Sequence, residues 1–230
     1  MAIEVQEFRC GVSLMYDNAD KYEGRAEELG HINPSLEFWL RDNASSYDNA
    51  LVVGAGFGLS SKQLVAGGAT VTSIEPQAGR FYLLEQNVPE STNINKICSD
   101  ASGTGTLDYF TDNASGAGLN VGYGNEQQSV DIITVDSLNL TLDLMLVYAN
   151  GQEFEVLDGA VDTITNNPDM KIIIRWIPDL FEDVDAAVTK LNALGKTIKI
   201  IHWDNDDTIS YKDPSDLELK AVQTADLLLE

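Results

Sequence analysis

The sequence has little of the residue types that form disulfides, bind metals or carry positive charge. Its 230 residues include two cysteines, two histidines and 14 basic residues, against 37 acidic ones. The two thiols, Cys10 and Cys98, are too few for a disulfide framework, and neither has a metal-binding spacing with a histidine. We therefore interpret both as structural thiols and predict no metal site from them.

The shortage of basic residues gives the chain a formal net charge of −23. A surface of that sign repels phosphate backbones and anionic lipids, so we expect neither a nucleic acid nor a membrane as partner. The sequence also lacks an apolar run of membrane-spanning length, and its first residues do not resemble a signal peptide. From these absences we expect a soluble protein that works in the cytoplasm.

What is present is a composition that can form a core and a regular alternation of elements. Hydrophobic residues make up 43% of the chain, which is enough for one domain with a sizeable core. Short apolar runs alternate with helix-like segments, a rhythm typical of right-handed βαβ units. We predict an α/β, Rossmann-like fold with about seven strands, mostly parallel, and helices on both faces. Residues 1–34 are expected to form an N-terminal extension or cap, and residues 35–230 the domain.

The elements follow from apolar runs, turn residues and helix-start signals. Predicted strands cover residues 50–53, 70–74, 93–98, 103–110, 130–135, 142–148, 171–176, 197–203 and 225–229. Predicted helices cover residues 34–41, 60–66, 80–87, 153–165 and 182–194. The glycine-rich stretch 111–124 interrupts the rhythm, and so long an irregular loop is usually functional or mobile. It is either a lid over the site or a surface excursion.

The most informative stretch runs from Leu51 to Gly58, where a buried strand enters a turn containing Gly54, Gly56 and Gly58. Glycine lets the backbone approach a ligand, and the amides that open the next helix attract negative charge. Glu75 ends the following strand, at the distance along the chain where an acid can hold the two hydroxyls of a ribose. The pattern predicts a nucleoside pocket; a tight turn without a ligand and an NAD pocket are the alternatives.

Four segments together resemble the FkbM-type methyltransferases, a branch of the Rossmann-like class I methyltransferases that use S-adenosylmethionine (SAM). The likeness spans roughly residues 28–229 and rests on the following segments: Val52-Val-Gly-Ala-Gly-Phe-Gly58, Ile74-Glu-Pro76, Cys98-Ser-Asp-Ala-Ser-Gly-Thr104 and Val147-Tyr-Ala-Asn-Gly-Gln-Glu-Phe-Glu-Val-Leu-Asp-Gly-Ala160. The chain departs from the family where acids are usual: Val52 precedes the glycine turn, Tyr148 and Asn150 replace the acids of an Asp-Val-Glu-Gly signature, and Arg175 or Trp176 replaces the acid after strand five.

The resemblance implies SAM as cofactor, held by Gly54, Gly56, Gly58 and Glu75, and it places Asp100 near the adenine. Asp100 can equally be a turn former before Gly103. A divalent metal is compatible with the chemistry, but no residue pattern indicates one. The resemblance also implies an enzyme that methylates a hydroxyl of a glycan or of a small hydroxylated metabolite.

A sugar hydroxyl is a poor nucleophile at neutral pH, so a base should assist its attack. The catalytic candidates are Tyr148, at the end of a central strand, and His31 and His202, since histidine titrates near neutrality. Asp100 and Asp136 are further candidates for the base by position. Tyr148 can also be simple pocket wall, and each histidine can be structural. Two rivals remain open: a non-catalytic nucleotide-binding module that keeps a degenerate methyltransferase fold, and an NAD(P)-linked oxidoreductase.

Overall fold

The computed structural model describes residues 2–21, 23–122, 124–204 and 206–230. Met1 and Tyr22 of the predicted extension, Tyr123 of the predicted lid and Asn205 lie outside the described residues. The strands are β1 (Ile3–Glu7), β2 (Ser13–Asp17), β3 (Asn49–Val53), β4 (Thr70–Ile74), β5 (Thr92–Ile94), β6 (Ile97–Cys98), β7 (Gly103–Phe110), β8 (Asn113–Leu119), β9 (Glu126–Ile133), β10 (Leu144–Val147), β11 (Lys171–Trp176), β12 (Ile198–Trp203), β13 (Ile209–Lys212) and β14 (Ala225–Leu229).

The helices lie between these strands, as the alternation predicts. They are α1 (Arg25–Leu29), α2 (Pro34–Asn43), α3 (Leu59–Gly67), α4 (Ala78–Asn87), α5 (Glu153–Asp158), α6 (Val161–Asn166), α7 (Val184–Ala193) and α8 (Asp216–Ala221). Short 3₁₀ turns cover Ala44–Ser46, Asp136–Leu138 and Pro178–Leu180. Among the described residues, no helix combines the length and the apolar character needed to cross a lipid bilayer.

The main sheet has the order β13-β12-β14-β11-β10-β3-β4-β5 across the described residues. The strands from β11 to β5 pair in parallel, whereas β14 is antiparallel to both of its neighbours and β13 closes an antiparallel hairpin with β12. The α/β, Rossmann-like prediction is confirmed, with eight strands rather than about seven. The extra strand is β13, a half-polar edge strand whose sequence carries no apolar run.

The parallel strands are buried on both faces, which is why they read as continuous apolar runs. In β3, Leu51 and Val53 face one hydrophobic cluster, while Ala50 and Val52 face another. The first cluster includes apolar residues of α5, α7 and α8, and the second includes those of α2, α3 and α4. Helices therefore cover both faces of the sheet.

Two predicted elements are interrupted in the structure. The strand expected over residues 93–98 is two strands, because β5 joins the main sheet whereas β6 joins a second sheet of order β6-β9-β7-β8. The helix expected over residues 153–165 breaks into α5 and α6 at Gly159. A Cβ on Gly159 would lie 2.1 Å from the carbonyl oxygen of Ser99, so only glycine allows this close backbone contact.

The glycine-rich stretch is not an irregular loop, and that prediction is wrong. Residues 113–119 form β8, which pairs antiparallel with β7, as in the pair Leu107 and Leu119. The cause is tertiary: a hairpin partner supplies backbone hydrogen bonds that small side chains leave accessible. The sequence also gave no signal for the β1–β2 hairpin, which packs its Phe8, Leu14 and Tyr16 against Phe57 and Leu83.

Helix α8 was not predicted, although its sequence carries a recognisable start. The Ser215 side chain accepts a hydrogen bond from the Glu218 amide, and the Glu218 carboxylate accepts one from the Ser215 amide. This reciprocal capping box is a local signal for a helix N-terminus. Leu219 of this helix is buried in the same hydrophobic cluster as Leu51 and Val53 of β3.

Candidate active site

A cavity of about 290 Å³ opens at the carboxyl ends of the parallel strands β3, β4, β10 and β11. Open parallel sheets place their ligands at this edge, because the loops that follow the strands converge there. The volume is close to the lower end of the ~300–1,000 Å³ typical of small-molecule pockets. The predicted residues Gly54, Gly56, Glu75 and Tyr148 line the cavity.

The glycine turn after β3 needs its glycines for two different reasons. Gly54, Gly56 and Gly58 all have positive φ, at 76°, 58° and 102°. A Cβ on Gly54 would also lie 2.0 Å from the Tyr148 carbonyl oxygen, which leaves no room for any side chain. Gly58 is the N-cap of α3, packs against Val88 and does not line the cavity, so it supports the turn from behind.

Glu75 is buried and organises the glycine turn. Its Oε2 accepts a hydrogen bond from the Gly56 amide at 2.8 Å, and its Oε1 accepts one from the Gln77 amide at 2.9 Å. Burial raises the pKa of this carboxyl, while Arg80 and the two amides act in the opposite direction. We call Gly54, Gly56 and Glu75 the glycine end of the cavity.

Arg80 lines the cavity beside the glycine end and was missed by sequence reasoning. Its guanidinium lies 3.0 Å from Glu23 and 3.6 Å from Asp20, two buried acids of the segment before α1. A Cβ on Gly56 would lie 3.7 Å from Arg80 Nη1, so the arginine passes directly over the turn. This arginine therefore joins the N-terminal segment to the glycine end.

The second sheet forms one wall of the cavity. Ile97, Cys98, Leu107, Ala117 and Gly118 contribute to this wall. Burial raises the pKa of the Cys98 thiol to about 12, which leaves it an unreactive apolar group at neutral pH. The predicted lid thus borders the cavity, as an ordered strand.

Two side chains from the loop after β10 hold β8 in this position. The Asn150 amide donates to the Ala117 carbonyl at 3.0 Å, and the Leu119 amide donates to Gln152 Oε1 at 3.1 Å. Asn150 has a positive φ of 52°, a conformation that asparagine adopts more readily than most residues. Asn150 stands where FkbM-type sequences have an acid, and here it holds the cavity wall in place through its hydrogen bond to Ala117.

The opposite end of the cavity carries a polar cluster of Asn33, Glu37, Tyr148, Arg175 and Asp226. Tyr148 donates to Asp226 Oδ1 at 2.7 Å, and Arg175 donates to the same oxygen at 3.0 Å. The Asn33 amide lies 3.3 Å from both the Tyr148 hydroxyl and Asp226 Oδ1, and its oxygen accepts from Arg175 at 3.1 Å. Four of the five line the cavity, and Asp226 lies behind them with its side chain fully buried.

Glu37 is 1% exposed and belongs to this polar cluster through α2. Its Oε1 accepts from the amides of Ile32 and Asn33 at 2.8 and 2.6 Å. Burial raises the pKa of Glu37 to about 7, and the nearby charge of Asp226 adds to this. The cavity therefore contains a carboxyl group that titrates near neutrality.

Of the catalytic candidates, the structure brings Tyr148 to the cavity and leaves both histidines outside it. His31 packs edge-on against Trp203, with ring centroids 5.2 Å apart, and burial lowers its pKa with a contribution from Arg9. His202 is exposed on β12, where it pairs with Ser210 of the edge strand. Asp100 is exposed, accepts a hydrogen bond from Ser99 and does not line the cavity.

Asp136, the remaining acidic candidate, has local structural contacts. Asp136 accepts hydrogen bonds from the amides of Asp162 and Thr163, at the start of α6. Within the described ranges, no three His, Cys, Asp or Glu side chains come together as a metal-binding group.

The sequence does contain signals for Asp226 and Glu37, the two acids of the polar cluster that were not predicted. Asp226 is an acid inside the otherwise apolar run Ala225–Leu229, and Glu37 stands between Leu36 and Phe38 in a helix of buried residues. Charged residues are seldom fully buried unless they have partners, so an acid in an apolar run marks a polar contact in the core. Which partners meet there depends on the tertiary structure.

No protein-family model matches this sequence, and no curated protein matches it. Solved structures do match. A TehB-like SAM-dependent methyltransferase from Corynebacterium glutamicum aligns with a TM-score of 0.52 and 14% identity, over 92% of this chain and 97% of that one. A candidate transferase from Pyrococcus horikoshii aligns with a TM-score of 0.51 and 13% identity, over 99% of this chain and 70% of that one. A tRNA m1G37 methyltransferase from M. jannaschii aligns with a TM-score of 0.48 and 13% identity, over 99% of this chain and 53% of that one. At this level of identity, the similarities with a TM-score above 0.5 show the fold alone, which this chain shares with the TehB-like SAM-dependent methyltransferase.

Proposed function

We propose that this protein is a SAM-dependent O-methyltransferase that acts on a hydroxyl of a glycan or of a small hydroxylated metabolite. The observation that carries the proposal is the glycine end of the cavity: the positive-φ turn and the buried Glu75 meet at the carboxyl ends of β3 and β4. The fold shared with SAM-dependent methyltransferases supports it. The FkbM-type branch is proposed on the sequence of residues 147–160.

The residues that line the cavity fit this cofactor. Glu75 would accept hydrogen bonds from the ribose hydroxyls, and the apolar wall of Ile97 and Cys98 would face the adenine. The turn at Gly54 and Gly56 would face the amino-acid part. Bound there, SAM supplies a methyl group whose bond to the sulfonium breaks with its electron pair retained by sulfur. The remaining tasks are to position the acceptor and to take its proton.

Tyr148 and Asp226 can take that proton together. Tyr148 donates its hydroxyl hydrogen to Asp226 Oδ1, which orients its phenolic oxygen to accept a hydrogen bond from the acceptor's hydroxyl group. An acceptor hydroxyl that donates to Tyr148 would pass its proton to the phenol as its oxygen bonds to the methyl carbon, while the phenol's own proton moves to Asp226. Arg175 donates to the same carboxylate oxygen and holds it in place. In this proposal neither histidine is needed as a base.

The acceptor is proposed to be a small molecule or a glycan. The net charge of −23 disfavours a polyanion such as RNA, because like charges repel. We also propose that residues 1–34 form an extension that caps the site and that residues 35–230 form the methyltransferase domain. Arg80 with Glu23 and Asp20 supports a capping role for that extension.

A second candidate is a nucleotide-binding module without catalysis. It is favoured by the loss of both signature acids, since Tyr148 and Asn150 replace them and the Asn150 amide is bonded to the Ala117 carbonyl. An NAD(P)-linked oxidoreductase is disfavoured, because the turn has its glycines at alternate positions rather than in the Gly-x-Gly-x-x-Gly order.

Calorimetric titration with SAM, S-adenosylhomocysteine and NAD separates these candidates. We expect micromolar binding of S-adenosylhomocysteine and none of NAD. Transfer of tritium from labelled SAM to a panel of glycans, nucleotide sugars and small polyols then separates enzyme from binding module. Binding without transfer to any of them would replace the enzyme with the module, and binding of NAD alone would overturn both.

A further inference from the structure

Glu37 lines the cavity with a carboxyl group whose hydrogen bonding is one-sided. Its Oε1 accepts from two backbone amides, whereas its Oε2 is buried and no N–H or O–H group among the described residues donates to it. The Cys10 thiol, a weak donor, lies against the same carboxyl. A buried carboxylate oxygen without a donor is costly, and proteins rarely keep one without a use. Glu37 is among the residues that line the cavity, so a ligand bound there lies beside this carboxyl and can supply a donor.

The charges around Glu37 leave a place for one cation. Asp226 is close enough to raise the pKa of Glu37, whereas a hydrogen bond from the Cys10 thiol to the same carboxyl lowers it. Arg175 pairs with Asp226 at 3.0 Å, and Tyr148 donates to it. With Glu37 ionised, the two carboxylates and one guanidinium carry a net charge of −1. A single positive group would neutralise it.

We propose that Glu37 receives the α-ammonium group in the amino-acid tail of SAM or S-adenosylhomocysteine. The inference rests on the proposed function and identifies how one end of that cofactor is recognised. Glu75 fixes the ribose at β4, and β10 lies two strands away, about 10 Å at the usual strand spacing. With its ribose at Glu75, the cofactor would direct its tail across the glycine turn toward the polar cluster, where Glu37 lies.

An ammonium group fits this position better than a metal ion. Divalent cations take six or more oxygen ligands or a compact set of His, Cys and acid side chains. No three such side chains converge within the described part of the chain, and Glu37 with Asp226 supplies only two carboxylates. An ammonium has three donors, and one of them satisfies Oε2 without further protein ligands.

The test compares two ligands of the unmodified protein at several pH values. S-adenosylhomocysteine has the ammonium, whereas 5′-methylthioadenosine keeps the adenosine and the thioether but lacks the amino-acid tail. Glu37, with a pKa of about 7, is mostly protonated at pH 6 and mostly ionised at pH 8. We expect the dissociation constant of S-adenosylhomocysteine to be about tenfold higher at pH 6 than at pH 8. That of methylthioadenosine should stay unchanged.

The variant Glu37→Gln removes the charge and keeps the shape. Its amide oxygen can still accept from Ile32 and Asn33, so we expect a folded protein. At pH 8 it should bind S-adenosylhomocysteine tenfold or more weakly, without the pH dependence, and should bind methylthioadenosine as the wild type does. Asp42→Asn is the matched control, since it removes the same charge from an exposed position of the same helix.

Each other outcome overturns the proposal. If both ligands weaken in parallel in Glu37→Gln, the carboxyl shapes the cavity and does not bind the ammonium. If S-adenosylhomocysteine binds equally at pH 6 and pH 8, in the wild type and in the variant, Glu37 makes no ion pair. If neither ligand binds at any pH, the proposed function fails first, and the inference fails with it.

Discussion

The two ends of the cavity are built in different ways. At the glycine end, the hydrogen bond between Gly56 and Glu75 joins residues 19 positions apart, each just after one of two neighbouring strands. In the polar cluster, the contact between Asn33 and Asp226 joins residues 193 positions apart. The first end can be recognised in a short stretch of sequence, whereas the second exists only once α2, β10, β11 and β14 have packed. Four variants test this contrast, from the largest expected effect to the smallest.

Gly54→Ala should have the largest effect, because the glycine turn touches the backbone of Tyr148 at this residue. A Cβ there would lie 2.0 Å from the Tyr148 carbonyl oxygen, in a backbone with φ of 76°. We expect a loss of about 2–5 kcal/mol in the free energy of unfolding, from strain and overpacking together, and no measurable binding of S-adenosylhomocysteine. Urea denaturation measures the first and calorimetry the second.

Gly68→Ala is the control for Gly54→Ala. Gly68 has a φ of 103° but no atom within 4 Å of a built Cβ. It should lose only the roughly 1–2 kcal/mol of the backbone conformation. Equal losses in the two variants would mean that the contact between Gly54 and the Tyr148 carbonyl contributes nothing.

Glu75→Ala tests the glycine end by itself. It removes a buried carboxylate that accepts from Gly56 and Gln77 and, in our proposal, from the ribose. We expect S-adenosylhomocysteine to bind more than tenfold weaker, since a charge-assisted hydrogen bond contributes about 1.5–3 kcal/mol. Glu85→Ala, an exposed acid on α4, should change nothing. Unchanged affinity in Glu75→Ala would remove this residue from the site.

Tyr148→Phe tests the polar cluster without touching the glycine end. The variant removes the hydroxyl that donates to Asp226 at 2.7 Å, and Arg175 and Asn33 still donate to that carboxylate. We expect methyl transfer to slow by tenfold or more, while the affinity for S-adenosylhomocysteine changes by less than about threefold. A fall in affinity with an unchanged rate would mean that Tyr148 only lines the pocket, which is the alternative role that the sequence left open.

Tyr82→Phe is the control for the tyrosine change, because Tyr82 is half exposed on α4 and lies outside the cavity. It should leave both rate and affinity unchanged. A loss in this variant as well would indicate a general response to removing a phenol.

Gln152→Ala should have the smallest effect. It removes the oxygen that accepts from the Leu119 amide and so releases one end of β8 from the loop after β10. We expect faster hydrogen exchange at Leu119 and its neighbours, with global stability lowered by no more than about 1 kcal/mol. Exchange as slow as in the wild type would show that pairing with β7 is sufficient to hold the cavity wall.

Burial explains why most strands of the main sheet were predicted well, although the half-exposed β7 was also predicted with its bounds. Residues 70–74, 171–176 and 225–229 form strands with the predicted bounds, because a strand buried on both faces is an apolar run that ends where its burial ends. The edge strands β1, β2, β8 and β13 were missed or misread, since a strand with one solvated face has few apolar residues. Gly159 breaks a predicted helix for a reason visible only in its contact with Ser99.

The sequence by itself determined the doubly wound sheet and the glycine end of the cavity. Both depend on local chemistry: apolar runs for the buried strands, glycine for the positive-φ turn, and an acid at the next strand end. Only the tertiary structure decided that Asp226 meets Tyr148 and Arg175, and that the buried Glu37 lines the cavity. Partners so distant along the chain leave no periodicity or spacing to read, because their proximity results from how the helices and strands pack.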